Sequence, residues 1–488
     1  MLKFFLIIFG GVAVIKLPMI IGGKEVWKDE VIDVIFSYNQ EKIGEAVKGS
    51  PEDVYQAIEK AKIGLEKLKK LTAYEKYKIL LKVANLLESR KEEFAKTITL
   101  ETGKTIREAR IEVDRAINTI TFSAEETKRI HGEYVHFDAS PNGKGKKGFY
   151  YRVPAGIVSA ITPFNFPVNL TAHKIAPSIA AGCPFVLKPS ERTPLSPIML
   201  CQLFLEAGVP EEAVSVIPGF ADVGQAMTTH PDVRVVSFTG SLKVGEIIAK
   251  QAGLKKIVME LGSNSAVIVD KTANLEIAVK KSVLGGFALA GQVCISVQRV
   301  FVHESVADEF EHLLKVEASK LKYGNPLEED TDVGPVISIS EVDRIETWIN
   351  EAVMKGGKVA LGGIQSKDKT IIPPTIVSEV PEESKLFYEE AFAPVVAVRR
   401  FKDVDEAIKL VNKTNYGLQV GVFTNDLKNA WKVIENADVG GVIINDIPTF
   451  RADNMPYGGV KGSGIGREGP KFAIEDYTQI KVVAFDLS

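Results

Sequence analysis

Apolar residues recur at helical spacing through the first quarter of the chain. Val54, Ala57, Ile58, Ala61, Leu65 and Leu68 share one face, which predicts an amphipathic helix. Ser50, Pro51 and Asp53 supply its start: a capping hydroxyl, a proline in the first turn and an acid three residues after the cap. Tyr77, Leu80, Leu81, Ala84 and Leu87 mark a second helix, and a third is expected from about Ile106 through Ile117. From Gly156 the pattern changes. Short apolar runs at 156–161, 184–187, 214–217, 233–238 and 257–259 alternate with helical stretches, and the alternation returns at 266–269, 300–303, 395–400, 419–424 and 441–445. Strands separated by helices predict parallel sheets with crossover helices, so the fold class is α/β with two such domains. Residues 142–147, rich in Gly and Lys, read as a hairpin tip between two extended segments.

Composition narrows the partners more than the fold. With 488 residues, 45% of them hydrophobic and 25% charged, the chain can bury a large core in more than one domain. A formal net charge of -3 and a pI near 6.2 argue against nucleic acid and anionic membranes and favour small solutes. Cys183, Cys201 and Cys294 are the three cysteines and form no CxxC pair, which predicts neither a disulfide framework nor a cysteine metal site and points to a reducing cytoplasm. The six histidines are scattered, so no metal is expected. Residues 4–15, nearly all apolar behind Lys3, have the length of a signal-peptide core and are too short to span a bilayer. Without a small-residue cleavage site, 1–15 is read as an over-long start or a disordered extension, with an export signal or a membrane tether as alternatives.

Three pieces carry candidate chemistry. Phe238, Thr239, Gly240 and Ser241 end a strand and Gly245 lies in the helix-forming stretch behind it. Such a turn lets a phosphate reach free backbone N–H groups, although a glycine there is structural more often than not. A GxGxxG at Gly464, Gly466 and Gly469 has no strand leading into it and is set aside. Cys294 follows Gly291 and the small Ala288 and Ala290, which leave room beside the sulfur. A thiolate attacks carbonyl carbon, but a free thiol with a pKa of about 8.5 is mostly protonated at neutral pH. On the residues alone a buried core cysteine is the stronger reading, and Cys183 and Cys201 are read that way. Glu260 follows an apolar strand, where α/β active sites gather and a carboxylate can serve as a base; a surface ion pair is the alternative.

Taken in order, the motifs TPFNFP (162–167), LKPSE (187–191), FTGS (238–241), MELG (259–262), GQVC (291–294), EAFAP (390–394) and PYGGVKGSGIGRE (456–468) closely resemble the aldehyde dehydrogenase superfamily, from about Lys16 to the C-terminus. The resemblance implies that family's fold: a Rossmann-like cofactor domain, an α/β catalytic domain and a small oligomerisation β-element. It implies that Cys294 is the nucleophile, that Asn165 and the Cys294 backbone N–H hold the oxyanion, and that hydride leaves for a nicotinamide. Glu260 then activates the water that hydrolyses the thioester. It places the adenine ribose on Lys188 and Glu191, the pyrophosphate near Ser241 and the 240–245 turn, and the nicotinamide ribose on Glu390 with Phe392 against the ring. Ile161, Thr162, Pro163, Phe164, Ser190, Phe238, Thr239, Gly240, Gly245, Leu261 and Gly262 complete the implied cofactor contacts. Glu191 would repel a 2′-phosphate, so NAD is expected, with NADP left open by Lys188. Ser263 and Ala393 stand where the family usually has glycine, adding bulk near the nicotinamide pocket.

Residues 450–457 (FRADNMPY) resemble the lactaldehyde dehydrogenase branch and the non-phosphorylating glyceraldehyde-3-phosphate dehydrogenases. Arg451 is accordingly the candidate reader of a substrate hydroxyl or anion, a solvated loop arginine being the alternative. Val293 stands where phosphate-selective relatives carry arginine, so a small aldehyde such as lactaldehyde or glyceraldehyde is expected, ahead of glyceraldehyde 3-phosphate or succinate semialdehyde. A recruited non-catalytic protein is the rival from another class. The expected layout is an extension at 1–15, a cofactor domain at 16–130 and 153–260, a catalytic domain at 261–473 and an oligomerisation element at 131–152 and 474–488. That element would pair with a partner's catalytic sheet in a homodimer or homotetramer, assisted by the strand near 480–485.

Overall fold

The computed structural model describes the backbone of residues 5–9, 12–363 and 370–487, and side chains from residue 15 onward within those ranges. The first long helix, Pro51–Lys70, starts where the capping residues place it, with the Asp53 carboxylate accepting from the Ser50 backbone N–H and hydroxyl at 2.8 Å each. The helix expected to end near Ile117 runs from Ile106 to Thr127. Its buried face continues through Ile120 and Ala124, and the interleaved Ser123 and Thr127 hydroxyls return hydrogen bonds to carbonyls one turn back, so polar residues ride on an apolar face.

Five parallel strands form the centre of an eight-stranded sheet, in spatial order Lys256–Glu260, Val233–Thr239, Ile157–Ile161, Phe185–Lys188, Val214–Val216. Among these five the chain enters at Ile157–Ile161, builds outward to one side, then returns to build the other. The order therefore reverses between Ile157–Ile161 and Val233–Thr239, and a crevice opens beyond their C-terminal ends. A second sheet of seven strands carries Ala266–Val269 and Arg299–His303 at its centre and Gly441–Ile444 at one edge. Each sheet has its own apolar core.

Three expectations differ from what is observed. Residues 464–473 were assigned with the catalytic domain, yet Gly464–Ile465 pairs antiparallel with Lys256–Glu260, and Ala473, Ile474 and Tyr477 sit in the core of the cofactor half. The chain crosses back because the glycines permit close backbone packing: a Cβ at Gly464 would lie 2.4 Å from the Met259 carbonyl oxygen. The small third sheet accordingly starts later, pairing Thr478–Asp486 with Lys146–Pro154 and the latter with Glu133–Val135, and two short 3-10 turns, Phe137–Ala139 and Pro141–Gly143, precede the tip. Finally, residues 1–15 are expected as an over-long start or a disordered extension, and within them Phe5–Phe9 pairs with Val12–Leu17, which runs on parallel to Lys42–Val47; Met1–Phe4, Gly10 and Gly11 lie outside the described residues. Among the described residues no helix is long and apolar enough to cross a membrane, and no group of three or more His, Cys, Asp or Glu could hold a metal ion.

Candidate active site

Cys294 rides on a loop that few sequences could form. Leu289, Ala290 and Gly291 are successive left-handed residues, with φ of 49°, 51° and 71°. Non-glycine residues are costly there, and the loop is held from outside: the Leu289 N–H donates to Glu108 Oε1 at 2.6 Å, and the Gln292 side chain bridges Leu289, Pro335 and Ile337. Gly291 is obligatory because a Cβ would fall 2.0 Å from the Ala393 carbonyl oxygen. Cys294 is half-buried beside a small apolar cluster of Leu289, Val293, Ile295, Leu418 and Tyr457, and its Sγ lies 3.2 Å from the Tyr457 hydroxyl. Burial pushes the thiol up to about 11, opposed by the Tyr457 hydrogen bond and the Arg451 charge.

Asn165 approaches the same loop. Its Nδ2 donates to the Gln292 carbonyl at 2.9 Å, while its Oδ1 is buried without a partner among the described residues. Glu260 closes the Lys256–Glu260 strand, is 2% exposed, and neither carboxylate oxygen has a partner there. Burial, reinforced by Glu468, holds its pKa well above the ordinary carboxylate range. Glu468 is the opposite case. Burial would raise it, but Lys174 at 2.8 Å and Arg451 at 2.9 Å hold it well below that range. Two neighbouring carboxylates whose environments push them apart divide naturally into a fixed anion and a proton carrier.

Arg451 is no solvated loop residue: its side chain is 6% exposed, paired with Glu468 and stacked with Cζ 3.7 Å from the Tyr457 ring centre. Its Nε–H remains without a partner among the described residues. Beside it, Arg115 grips Asp453 at 2.8 Å, Asp453 also meets His173 at 3.2 Å, and Arg115 reaches over the Phe166 ring. Phe166 packs against the cluster that carries Cys294. Two arginines, each paired with a carboxylate, thus stand beside the cluster that carries the sulfur.

The residues expected to hold a cofactor converge on the crevice. Ile161 pairs in register with Lys188 on one side and Phe238 on the other, and Thr239 pairs with Glu260, so these positions lie level at the strand ends. Pro163 and Phe164 follow directly, Phe164 meeting Phe392 edge-on at 5.9 Å. Gly240 and Ser241 start the Leu242–Gln251 helix, which Ser241 caps by accepting from the Val244 N–H. Gly245 faces Leu261, whose side chain a Cβ there would strike at 2.5 Å. Gly262 faces Glu390: a Cβ would meet Oε2 at 2.5 Å, while Oε1 accepts from the Ser263 N–H at 2.8 Å. Burial raises Glu390 to about 7. The Lys188 ammonium, buried and with its pKa lowered by that burial, has Pro189 carbonyl at 3.4 Å and Glu191 at 3.9 Å for company; Glu191 and Ser190 lie nearer the surface. A sugar or phosphate edge would satisfy these groups, so the residues fit a nicotinamide dinucleotide. The two departures from the family pattern turn inward: the Ser263 hydroxyl bonds the Ser265 hydroxyl at 2.9 Å, and Ala393 is fully buried behind the Cys294 loop.

Nothing along the chain singles out Glu108, Arg115, His173 or Lys174, and Asp453 lies unremarked inside the 450–457 stretch. Tyr457 and Glu468 lay inside a quoted motif, but nothing local separates them from its glycine scaffold.

Comparison with known proteins agrees with this geometry. The aldehyde dehydrogenase family model matches residues 26–483. A 3-sulfolactaldehyde dehydrogenase of Priestia aryabhattai is 45% identical over 459 residues, 94% of this chain and 95% of that protein. Among solved structures, aldehyde dehydrogenase 21 of Physcomitrella patens, in complex with the reaction product succinate, superposes with a TM-score of 0.94 at 41% identity, covering 97% of this chain and 99% of that one. The glyceraldehyde-3-phosphate dehydrogenase GapN of Methanocaldococcus jannaschii, complexed with NADP, gives 0.90 at 42% identity, covering 94% and 100%. With its two large sheets, its cysteine loop and these matches over nearly the whole chain, the protein belongs to the aldehyde dehydrogenase family.

Proposed function

We propose that this enzyme oxidises a short aldehyde bearing an anionic tail, and by preference a hydroxyl, to the carboxylic acid, with NAD or NADP as hydride acceptor. The observation that carries this reading is the set of buried, unspent polar groups around one sulfur. Asn165 Oδ1, both Glu260 oxygens and Arg451 Nε lack partners among the described residues, and unsatisfied buried groups at one place point to a ligand. Cys294 as thiolate forms the bond to the aldehyde carbon, and the carbonyl electron pair moves to oxygen, where the second Asn165 Nδ2 proton and the Cys294 backbone N–H are the available donors. Lys188, Ser241 and Glu390 in the crevice would hold a nicotinamide dinucleotide, which would supply the hydride acceptor, and loss of hydride from that carbon leaves a thioester on Cys294. Glu260, in its deprotonated form, takes a proton from water as it attacks the thioester, and the C–S pair returns to sulfur.

Two arginines favour the anionic tail over a neutral one such as lactaldehyde. Arg115 is about a quarter exposed beside the cluster, and Arg451 keeps one free donor inside it. The three relatives above act on, or hold, anionic three- or four-carbon compounds. The test is reduced-nicotinamide formation with 3-sulfolactaldehyde, succinate semialdehyde, glyceraldehyde 3-phosphate and lactaldehyde, each with NAD and NADP, beside Cys294→Ser and Arg115→Gln. Anionic aldehydes should win in kcat/KM and lose that advantage in Arg115→Gln. Lactaldehyde preferred in both would overturn the anionic reading, and activity surviving in Cys294→Ser would overturn the thioester route.

The same reading includes assembly. Gly441–Ile444 leaves one edge of the seven-stranded sheet open, and Thr478–Asp486 is an edge strand with Ile480, Val482 and Phe485 exposed. Unpaired edges and exposed apolar strands suit pairing with a second copy, so a homodimer or homotetramer is expected in a cytoplasm that keeps Cys183, Cys201 and Cys294 as free thiols. A monomer by sedimentation at micromolar concentration would contradict it.

A further inference from the structure

The active-site features above leave one polar group unexplained, the Tyr457 hydroxyl. The ring is 1% exposed in the apolar cluster with Leu289, Val293, Ile295 and Leu418, where phenylalanine would pack as well. Burying an extra hydroxyl there is costly unless it makes a bond that matters. Its bond is to Cys294 Sγ, at 3.2 Å.

The hydroxyl is held by a closed arrangement. Tyr457 and Glu468 exchange backbone hydrogen bonds, Tyr457 N–H to the Glu468 carbonyl at 3.0 Å and Glu468 N–H to the Tyr457 carbonyl at 2.7 Å. The Glu468 carboxylate accepts from Arg451 at 2.9 Å, and the Arg451 guanidinium lies over the Tyr457 ring at 3.7 Å. Lys174 anchors the other Glu468 oxygen at 2.8 Å. A cation over the ring face draws electron density from the phenol and makes its O–H a better donor.

We propose that Tyr457 is a catalytic residue: its hydroxyl donates a hydrogen bond to the Cys294 thiolate, and Arg451, clamped by Glu468, holds and polarises that donor. This rests on Cys294 being the nucleophile. A thiol and a phenol can donate to one another in either sense, but once Sγ has lost its proton to solvent the phenol alone can donate. Tyr457 keeps its own proton throughout. When the S–C bond forms, the sulfur charge is consumed and the hydrogen bond weakens; when the thioester is hydrolysed, the C–S bond breaks and the electron pair returns to sulfur, where the same O–H receives it. The other groups bearing on the sulfur are Arg451, which favours the thiolate, and Glu390 and Glu260, which oppose it. Tyr457 and Arg451 are thus what the site has to set against burial and two carboxylates.

The experiment is the pH dependence of Cys294 alkylation by iodoacetamide in the full-length protein, with the adduct located by peptide mass spectrometry, for wild type, Tyr457→Phe and Arg451→Lys. Loss of one charge-assisted hydrogen bond should raise the alkylation midpoint by about one pH unit in Tyr457→Phe. At pH 7.5 alkylation should slow roughly three- to fourfold, because higher intrinsic nucleophilicity partly offsets the smaller thiolate fraction. Arg451→Lys, which keeps the charge and loses the planar stack, should shift the midpoint the same way by less. Nucleotide affinity should not change in either. A merely structural hydroxyl would alter the melting temperature and leave the midpoint in place, and an unmoved midpoint in either folded variant overturns the proposal. If wild-type Cys294 takes no adduct, it is the nucleophile assignment that fails.

Discussion

Glu108 Oε1 accepts a 2.6 Å hydrogen bond from the Leu289 backbone N–H, tying the first turn of the Ile106–Thr127 helix to the left-handed run that precedes Cys294. Four residues on, Glu112 Oε1 accepts from the N–H groups of Val168 and Asn169, fixing the helix that follows the Asn165 loop. One helix therefore holds both halves of the site, and Glu112 is itself paired with the fully buried Lys104.

Glu108→Ala should act on rate rather than on cofactor binding. The loop loses its external anchor, and a displacement of about 1 Å at a reacting atom can cost on the order of a hundredfold. We expect kcat to fall about ten- to hundredfold with nucleotide Kd within twofold of wild type, measured by steady-state kinetics and fluorescence titration. Unchanged kcat would show that the strained loop holds itself.

Glu260→Gln should stop turnover after one equivalent. Acylation survives, so a burst of reduced nicotinamide should precede a steady rate lowered by at least about a hundredfold. The same variant should be more stable than wild type at neutral pH. Unfolded glutamate loses its proton near pH 4.3, whereas the folded protein keeps the Glu260 proton to higher pH. The folded state therefore binds more protons above about pH 4.3, and wild-type stability falls as pH rises through that window. Thermal unfolding should show a gain for Glu260→Gln at pH 7.5 that vanishes below about pH 4.

Glu191→Ser should move the cofactor preference toward NADP. The carboxylate lies 3.9 Å from Lys188 Nζ, close enough to repel a 2′-phosphate that the lysine would otherwise attract. Its removal should raise kcat/KM for NADP about tenfold, the magnitude of one exposed charge repulsion in a partly dry site, and lower it for NAD, whose ribose hydroxyls lose an acceptor. An unaltered ratio would place the ribose away from Glu191.

Gly291→Ala should prevent the site from forming, since the new methyl would lie 2.0 Å from the Ala393 carbonyl oxygen at a φ of 71°. We expect loss of thiol reactivity together with destabilisation of several kcal/mol. Gly208→Ala is the control. Its φ is 102°, but nothing lies within 4 Å of the added Cβ, so its cost should stay near the 1–2 kcal/mol of backbone strain alone.

Much of this protein was legible along the chain because the signals are local. Alternation of short apolar runs with helical stretches located ten strands to within a residue or two, and Ser50, Pro51 and Asp53 marked a helix start by bonds that span three residues. Motif identity brought Cys294, Glu260, Asn165, Lys188 and Glu390 forward as a set. What crosses long separations was not legible. The return of Gly464–Ile465 to the cofactor sheet, the Arg115–Asp453 pair 338 residues apart and the Glu108–Leu289 anchor leave no periodicity to read.

The sequence by itself determined which elements form and nominated candidates for the chemistry, since side-chain period and residue type act over a few positions. Only the tertiary structure decided their states. Why Glu260 keeps its proton to higher pH than an ordinary carboxylate while Glu468 gives its own up more readily, whether Arg451 meets water or a tyrosine ring, and what faces the Cys294 sulfur all depend on burial and on partners from distant segments. Desolvation and charge proximity are properties of the assembled site, and no short stretch of chain contains them.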